Sequence, residues 1–307
     1  MTVLNIVLPI FLVVGLGYAL RRLRFVTAEG NAVLTRLVFY VAAPVLLVRG
    51  AAGTSLRSSL DPRVLGVFIA VSVLVAAVTY ALAFRSRASR RGVFAQGSHR
   101  SNMVFVGLPL VMNAFGEEAV GQVSVLVGAM VVVYNVLSIV VLTLPHHSGG
   151  PGRRVDLAGM LKRIAVNPLA LGSATGIVLS AIGVAIPATL GGAMDLVGGT
   201  ALPLALISVG AGLDLDRLRR EFAGAATTCV LKLGLYPALV YVGLRALGLE
   251  GVALQAPVLL AATPTAVVSY VMAQEMQGDE QLAGAMVIGT TLLSLPTSIL
   301  WLLLLGV

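Results

Sequence analysis

The chain of 307 residues contains few of the groups that enzymes use: one cysteine, three histidines and 13 acidic residues. The single cysteine, Cys229, excludes a disulfide framework and a cysteine-based metal site. A membrane hydrolase or transferase needs paired carboxylates, a His/Cys cluster or an activated nucleophile, and the apolar segments contain none of these. A phosphate-binding glycine loop is also missing, which excludes ATP-driven transport by this chain alone. We therefore predict no enzyme activity, no catalytic residue, no metal and no cofactor.

Charge is also scarce. Charged residues make up 11% of the chain, whereas soluble domains carry about 25%. Hydrophobic residues make up 58%, the mean hydropathy is +0.99, and many apolar runs approach the roughly 20 residues that span a bilayer as a helix. The net charge of +8 is spread over short loops between these runs, so it indicates membrane topology rather than a nucleic-acid partner. The composition predicts an all-α integral membrane protein that has the lipid bilayer as its surroundings.

The apolar runs predict ten spans. They cover residues 3–20, 31–50, 64–84, 93–114, 119–143, 164–186, 190–213, 222–247, 252–275 and 281–305. Fifteen lysines and arginines fall on the side of the loops that follow helices 1, 3, 5, 7 and 9, against four on the other side. Positive charge marks the cytoplasmic face, so both termini are expected outside the cytoplasm, in a multi-pass protein of the inner (cytoplasmic) membrane.

The two halves of the chain resemble each other at a fixed offset of 159 residues. "LVFYVAAPVLLVRGAAG" (37–53) aligns without a gap to "LVGGTALPLALISVGAG" (196–212), with seven identities. We predict one five-helix repeat over residues 1–143, a cytoplasmic linker over 144–163 and a second repeat over 164–307. Because five is odd, the second repeat crosses the membrane in the opposite direction, which is typical of secondary transporters.

Helices 4 and 9 of this scheme carry prolines and polar residues at corresponding depths. The first contains Gly107-Leu108-Pro109, and the second contains Pro264 in "ATPTAVVSYVMAQE" (262–275). Proline removes a helical hydrogen bond, and broken backbone at membrane depth survives only when it is buried in protein or lines a wet cavity. We predict two broken crossover helices, interrupted at Pro109 and near Pro264, that face each other around a substrate or ion site.

Several stretches resemble the auxin efflux carrier family in order and spacing. They include "RSNMVFVGLPL" (100–110), "NPLALGSATGIVL" (167–179), "ALPLALISVGAGL" (201–213) and "PTAVVSYVMAQEM" (264–276). The resemblance runs along essentially the whole chain, and the short linker makes the chain similar to compact prokaryotic members. It implies a scaffold of helices 1, 2, 6 and 7 that forms a homodimer. It also implies a transport domain of helices 3–5 and 8–10 that slides as an elevator.

Polar residues inside the spans are candidates for the site. The predicted substrate-binding residues are Asn102, Pro109, Asn135, Lys232, Pro264, Val268, Ser269 and Thr290. An ionisable residue such as Lys232 at membrane depth indicates function by default, although a lysine also reaches the surface or pairs structurally. Asn102 and Asn135 suit either a carboxylate or the backbone of a broken helix.

These features predict a secondary transporter of small organic anions, most of all carboxylates, with sodium or proton coupling left open. The alternative is a sodium- or proton-coupled ion antiporter of similar fold, which needs a cluster of acids near the crossover. The acid nearest to a crossover is Glu275, which either couples protons or lies at the cytoplasmic surface. Arg100 either guards the cytoplasmic entrance or sets the topology.

Overall fold

A computed structural model of the protein describes residues 3–52, 61–147, 162, 166–212, 219 and 221–307. These residues form helices and no strand; their one extended contact is an isolated antiparallel bridge between Ser101 and Thr265. The α-helices are α1 (Val3–Arg22), α2 (Ala28–Leu37), α3 (Ala43–Ala52), α4 (Pro62–Leu82), α5 (Ala88–His99), α6 (Leu108–Phe115), α7 (Glu117–His147), α8 (Pro168–Ala181), α9 (Ala188–Gly199), α10 (Ala201–Ala211), α11 (Phe222–Cys229), α12 (Tyr236–Ala246), α13 (Gly251–Ala261), α14 (Val268–Glu275) and α15 (Glu280–Leu305).

Six helical stretches in the described residues are long and apolar enough to cross a membrane. They are Ala28–Arg49, Pro62–Arg85, Val125–Pro145, Ala188–Ala211, Phe222–Ala246 and Glu280–Leu305. Large apolar side chains such as Leu82 and Leu303 are exposed on the outer surface, where lipid replaces water as the solvent. The chain is therefore an all-helical, multi-pass membrane protein.

The other four predicted spans coincide with α1, with α8 and with two pairs of shorter helices, α5–α6 and α13–α14. Helix α7 runs to His147, four residues beyond the end predicted for helix 5, so the predicted linker overlaps its last turn. Residues 148–161 and 163–165 of that linker lie outside the described ranges. The count of ten spans stays a prediction.

In the part of the chain that the structure describes, three helices contain a widened π-helical turn, and each turn ends two residues before a proline. The turns are Val38–Ala42, Met103–Gly107 and Val230–Leu235, and the prolines are Pro44, Pro109 and Pro237. In each turn the residue before the proline donates its N–H five residues back; Leu108, for example, donates to the carbonyl of Met103. Proline cannot donate to the fourth residue back and its ring crowds that carbonyl, so the wider turn accommodates it without ending the helix.

Several pairs of the described helices approach each other backbone to backbone, and two of them join the first helices of each half of the chain. Helix α1 packs along α10, and a Cβ atom added at Gly17 would lie 2.2 Å from the carbonyl oxygen of Ile207. Helix α3 packs along α8, where a Cβ at Gly172 would lie 2.8 Å from the carbonyl oxygen of Pro44. Small residues at membrane interfaces permit such close approach, and dispersion contacts then stabilise the pair. The glycines thus fix the spacing of the four segments.

Candidate functional site

Two interrupted helices meet in the interior of the protein. Helix α5 ends at His99 and α6 begins at Leu108, while α13 ends at Ala261 and α14 begins at Val268. The extended residues between them pair as a short antiparallel bridge. The N–H of Asn102 donates to the carbonyl of Pro264 at 2.8 Å, and the N–H of Ala266 donates to the carbonyl of Arg100 at 3.0 Å. Each interruption therefore supplies hydrogen bonds that the other one lacks, as buried backbone requires.

The position of the first interruption differs from the prediction. Pro109 lies in the first turn of α6 and does not break the helix, because the π-helical turn Met103–Gly107 runs directly into it. The backbone leaves the helix at Arg100, whose φ and ψ of −80° and 98° are extended. The interruption expected at Pro109 was thus wrong by several residues. Pro264, by contrast, lies within the second interruption.

Side chains complete the hydrogen bonding of the second interruption. The Thr265 hydroxyl donates to the carbonyl of Gly97 at 2.7 Å. The Thr290 hydroxyl accepts from the Thr265 N–H at 3.1 Å and donates to the carbonyl of Met286 at 2.7 Å. The predicted site residue Thr290 therefore supports the backbone of the interruption. Ser269, in the first turn of α14, is also buried, and its hydroxyl has no partner among the described residues.

Lys232 contacts the backbone of the second interruption rather than the cavity. Its side chain is fully buried, and its Nζ donates to the carbonyls of Ala261 at 2.7 Å and Thr263 at 2.6 Å. It is absent from the residues that line the neighbouring cavity. The expectation that Lys232 faces substrate is not supported by this geometry. The alternative of a structural pairing fits, with backbone carbonyls as the partners.

A cavity of about 340 Å³ opens beside the first interruption. Its polar lining comes from consecutive residues at the interruption and from the facing turn of α7: Arg100, Ser101, Asn102, Tyr134 and Asn135. The other walls are apolar and are supplied by α3, α6, α7, α8 and the start of α14. Of the predicted site residues, Asn102, Asn135 and Val268 line the cavity. Pro264, Ser269 and Thr290 do not.

Arg100 is the charged group of this cavity. The side chain is 5% exposed, and its guanidinium donates to Asn135 Oδ1 at 2.5 Å and to Ser138 Oγ at 2.8 Å. In the described part of the chain it forms no salt bridge. From the sequence, Arg100 was expected either to guard the cytoplasmic entrance or to set the membrane topology. The local signal was the run of polar residues, His99 to Asn102, inside a span.

A chain of hydroxyl groups supports the cavity from behind. The Tyr134 hydroxyl lies 2.8 Å from that of Tyr236, which lies 2.9 Å from that of Ser72. All three residues are buried, and they connect α7, α12 and α4. None of these three residues was predicted from the sequence as part of the site. A tyrosine in an apolar helix gives no indication of which hydroxyl it will meet.

Replacing Thr290 by valine is expected to destabilise the second interruption. Valine keeps the shape but leaves the buried N–H of Thr265 without an acceptor, which costs about 1–3 kcal/mol. The thermal unfolding temperature of the purified protein measures this loss. Thr297→Val is the matched control, because that hydroxyl lies on the same helix and donates to the carbonyl of Leu293, four residues back, in an exposed hydrogen bond. Equal unfolding temperatures would contradict the assigned role.

A buried cation beside a cavity, at the meeting point of two interrupted helices, is typical of membrane transport proteins. The chain belongs to the family described as "Membrane transport protein", the auxin efflux carrier family, whose model matches residues 2–152 and 154–302. This match confirms the resemblance found in the sequence.

Relatives from bacteria, archaea and plants are similar to this chain. It is 28% identical over 304 residues to the "Putative malonate transporter" of Rhizobium meliloti (strain 1021), covering 95% of this chain and 92% of that protein. It is 26% identical over 299 residues to an "Uncharacterized transporter" of Methanothermobacter thermautotrophicus, covering 96% of each. Auxin efflux carrier component 1 of Arabidopsis thaliana is 27% identical over 164 residues, covering 50% of this chain and 26% of that protein.

Proposed function

We propose that the protein is a secondary transporter that carries small organic anions, and that Arg100 holds the carboxylate. The observation that carries this proposal is the guanidinium at the cavity wall, buried and bonded to neutral oxygens. A buried charge without an opposite charge is costly, and an anion entering the cavity supplies one. Arginine is also suited to a carboxylate because its planar fork donates two parallel hydrogen bonds.

The surroundings of Arg100 favour a carboxylate over other ligands. Ser101 and Asn102 line the same end of the cavity and offer a hydroxyl and an amide to an anion. The helical segment that leads into α6 begins directly after Asn102, so the positive end of its dipole faces this region. The remaining walls, among them Leu46, Val131 and Leu169, are apolar. One cation and apolar walls suit an anion with one carboxylate group and a small apolar or neutral body.

The inverted repeat, the elevator movement and the homodimer belong to the same proposal. The pairing of α1 with α10 and of α3 with α8 supports a scaffold built twice by equivalent helices. The two interruptions that bridge each other support crossover helices at equivalent positions. In this scheme α4 to α7 and α11 to α15 form the moving part, and both termini lie outside the cytoplasm.

Transport currents test the proposal directly. Purified protein in proteoliposomes on a charge-sensing membrane is challenged with acetate, malonate, monomethyl malonate, malate and indole-3-acetate, with and without sodium and pH gradients. We expect a saturable current from a carboxylate, larger for monomethyl malonate than for malonate. Currents that arise from sodium or proton gradients alone, with no response to any carboxylate, would favour the antiporter instead.

Asn135→Asp is expected to neutralise the charge of Arg100 with a carboxylate of the protein itself. The new carboxylate lies where Asn135 Oδ1 now accepts from Arg100 at 2.5 Å, and it occupies the guanidinium in place of substrate. Carboxylate transport should fall at least about tenfold while the unfolding temperature stays equal or rises, since buried ion pairs are stabilised by close contact. Asn113→Asp, at an exposed position of α6, is the control. Unchanged transport by Asn135→Asp would contradict carboxylate binding at Arg100.

A further inference from the structure

At the end of α13, buried carbonyl groups are left without a helical N–H as hydrogen-bond donor. The N–H of Thr265, which would bond the Ala261 carbonyl in a continuous helix, bonds the Thr290 hydroxyl instead. The last carbonyls of a helix carry the negative end of its dipole, and inside a membrane they need a donor or a cation. In transporters with interrupted helices, such carbonyls at the ends of half-helices coordinate the coupling ion.

The side chain of Lys232 fills this position. It donates to the carbonyls of Ala261 and Thr263, and its Nζ lies 4.9 Å from the ring centroid of Tyr236. Two hydrogen bonds and one aromatic face account for the three hydrogens of an ammonium group. No described acidic residue forms a salt bridge with it. Carbonyl oxygens at a helix end and an aromatic ring form a site suited to a monovalent cation. In this protein the ammonium group of Lys232 occupies that site.

We propose that Lys232 is a tethered cation that takes the place of a free sodium ion at the second interruption. It is a positioning residue, because the Ala261 carbonyl also accepts from Ser101 Oγ at 3.2 Å, and Ser101 lines the cavity. The inference rests on the proposed function in so far as this cavity holds the substrate. It predicts that the wild-type protein needs no sodium ion to keep the interruption in shape.

Two substitutions distinguish a cation site from a merely structural lysine. Lys232→Ala leaves a space that admits a small cation, whereas Lys232→Met fills the space with an apolar chain of similar length. The thermal unfolding temperature is measured without substrate in sodium, methylammonium or choline chloride at equal ionic strength. We expect no difference between salts for the wild type. Lys232→Ala should unfold at a lower temperature in choline and recover several degrees in methylammonium or sodium, and Lys232→Met should stay low in all three.

Transport provides the second readout. The carboxylate current of Lys232→Ala should be at least tenfold larger in methylammonium or sodium than in choline. The current of Lys232→Met should be the same low value in all three salts. A Lys232→Met protein that unfolds and transports like the wild type would overturn the proposal. So would a folded Lys232→Ala protein that responds to no cation.

The wild-type protein offers a test that needs no variant. Replacing sodium by choline on both sides of the membrane should change its carboxylate current less than twofold, and a tenfold loss would overturn the proposal. The unfolding assays contain no substrate, so their result does not depend on which molecule the protein carries. If the cation response appears but no carboxylate gives a current, the proposed function fails while the tethered cation stands.

Discussion

Arg100→Gln is expected to remove saturable carboxylate currents. Glutamine keeps a polar group in the cavity but loses the charge and the two hydrogen bonds to Asn135 and Ser138. Removing one partner of a buried, hydrogen-bonded charge pair costs about 2–5 kcal/mol, which corresponds to a loss of affinity of about 30-fold or more. The half-saturating concentration and maximal current in proteoliposomes measure the effect.

A second arginine serves as the control for this change. Arg85, at the end of the helical stretch that begins at Pro62, is exposed, so Arg85→Gln should keep the wild-type affinity. Arg100→Lys should recover only part of the binding, because an ammonium group lacks the planar fork that reaches two oxygens at once. An Arg100→Gln protein that binds its carboxylate with wild-type affinity would disprove the central assignment.

Gly17→Ala is expected to separate α1 from α10 and to destabilise the whole protein. The added methyl group would lie 2.2 Å from the carbonyl oxygen of Ile207, which belongs to the backbone and cannot turn away. Such overpacking costs about 1–3 kcal/mol, and it should lower the unfolding temperature by several degrees.

Helix α1 contains its own control. A Cβ atom at Gly15 would meet nothing within 4 Å, so Gly15→Ala adds helix propensity without a clash. The two variants differ only in which face of α1 carries the new methyl group. If they unfold at the same temperature, the close approach of α1 and α10 does not contribute to stability as described.

The membrane spans were predictable from the sequence because long apolar runs need no knowledge of their neighbours. Six of the predicted spans reappear as continuous helical stretches, and Pro264 lies within an interruption. Pro109 shows the limit of this reasoning. A proline disrupts a regular α-helix, but a π-helical turn in front of it accommodates the ring and the missing N–H. The sequence contains no pattern that predicts such a turn.

The candidate site was predicted only in part, because long side chains find their partners in three dimensions. Lys232 and Arg100 are both buried cations within predicted spans, and composition alone cannot distinguish them. The end of α13 and the interruption after it place the carbonyls of Ala261 and Thr263 next to Lys232, whereas Arg100 lines the cavity and contacts the polar turn of α7. Asn102 and Asn135, which the sequence predicts to bind substrate, both line the cavity, and their part in substrate binding stays a prediction.

The widened turns also change which residues lie on the same face of the three helices that contain them. Each residue of an α-helix advances by about 100°, so one additional residue in a turn rotates everything beyond it by that angle. Residues spaced by the usual three or four positions across Val38–Ala42 or Val230–Leu235 therefore do not share a face. Along these helices, the pattern of tolerance to polar substitutions should shift its phase at the turn. The two segments of one apolar run then face different neighbours.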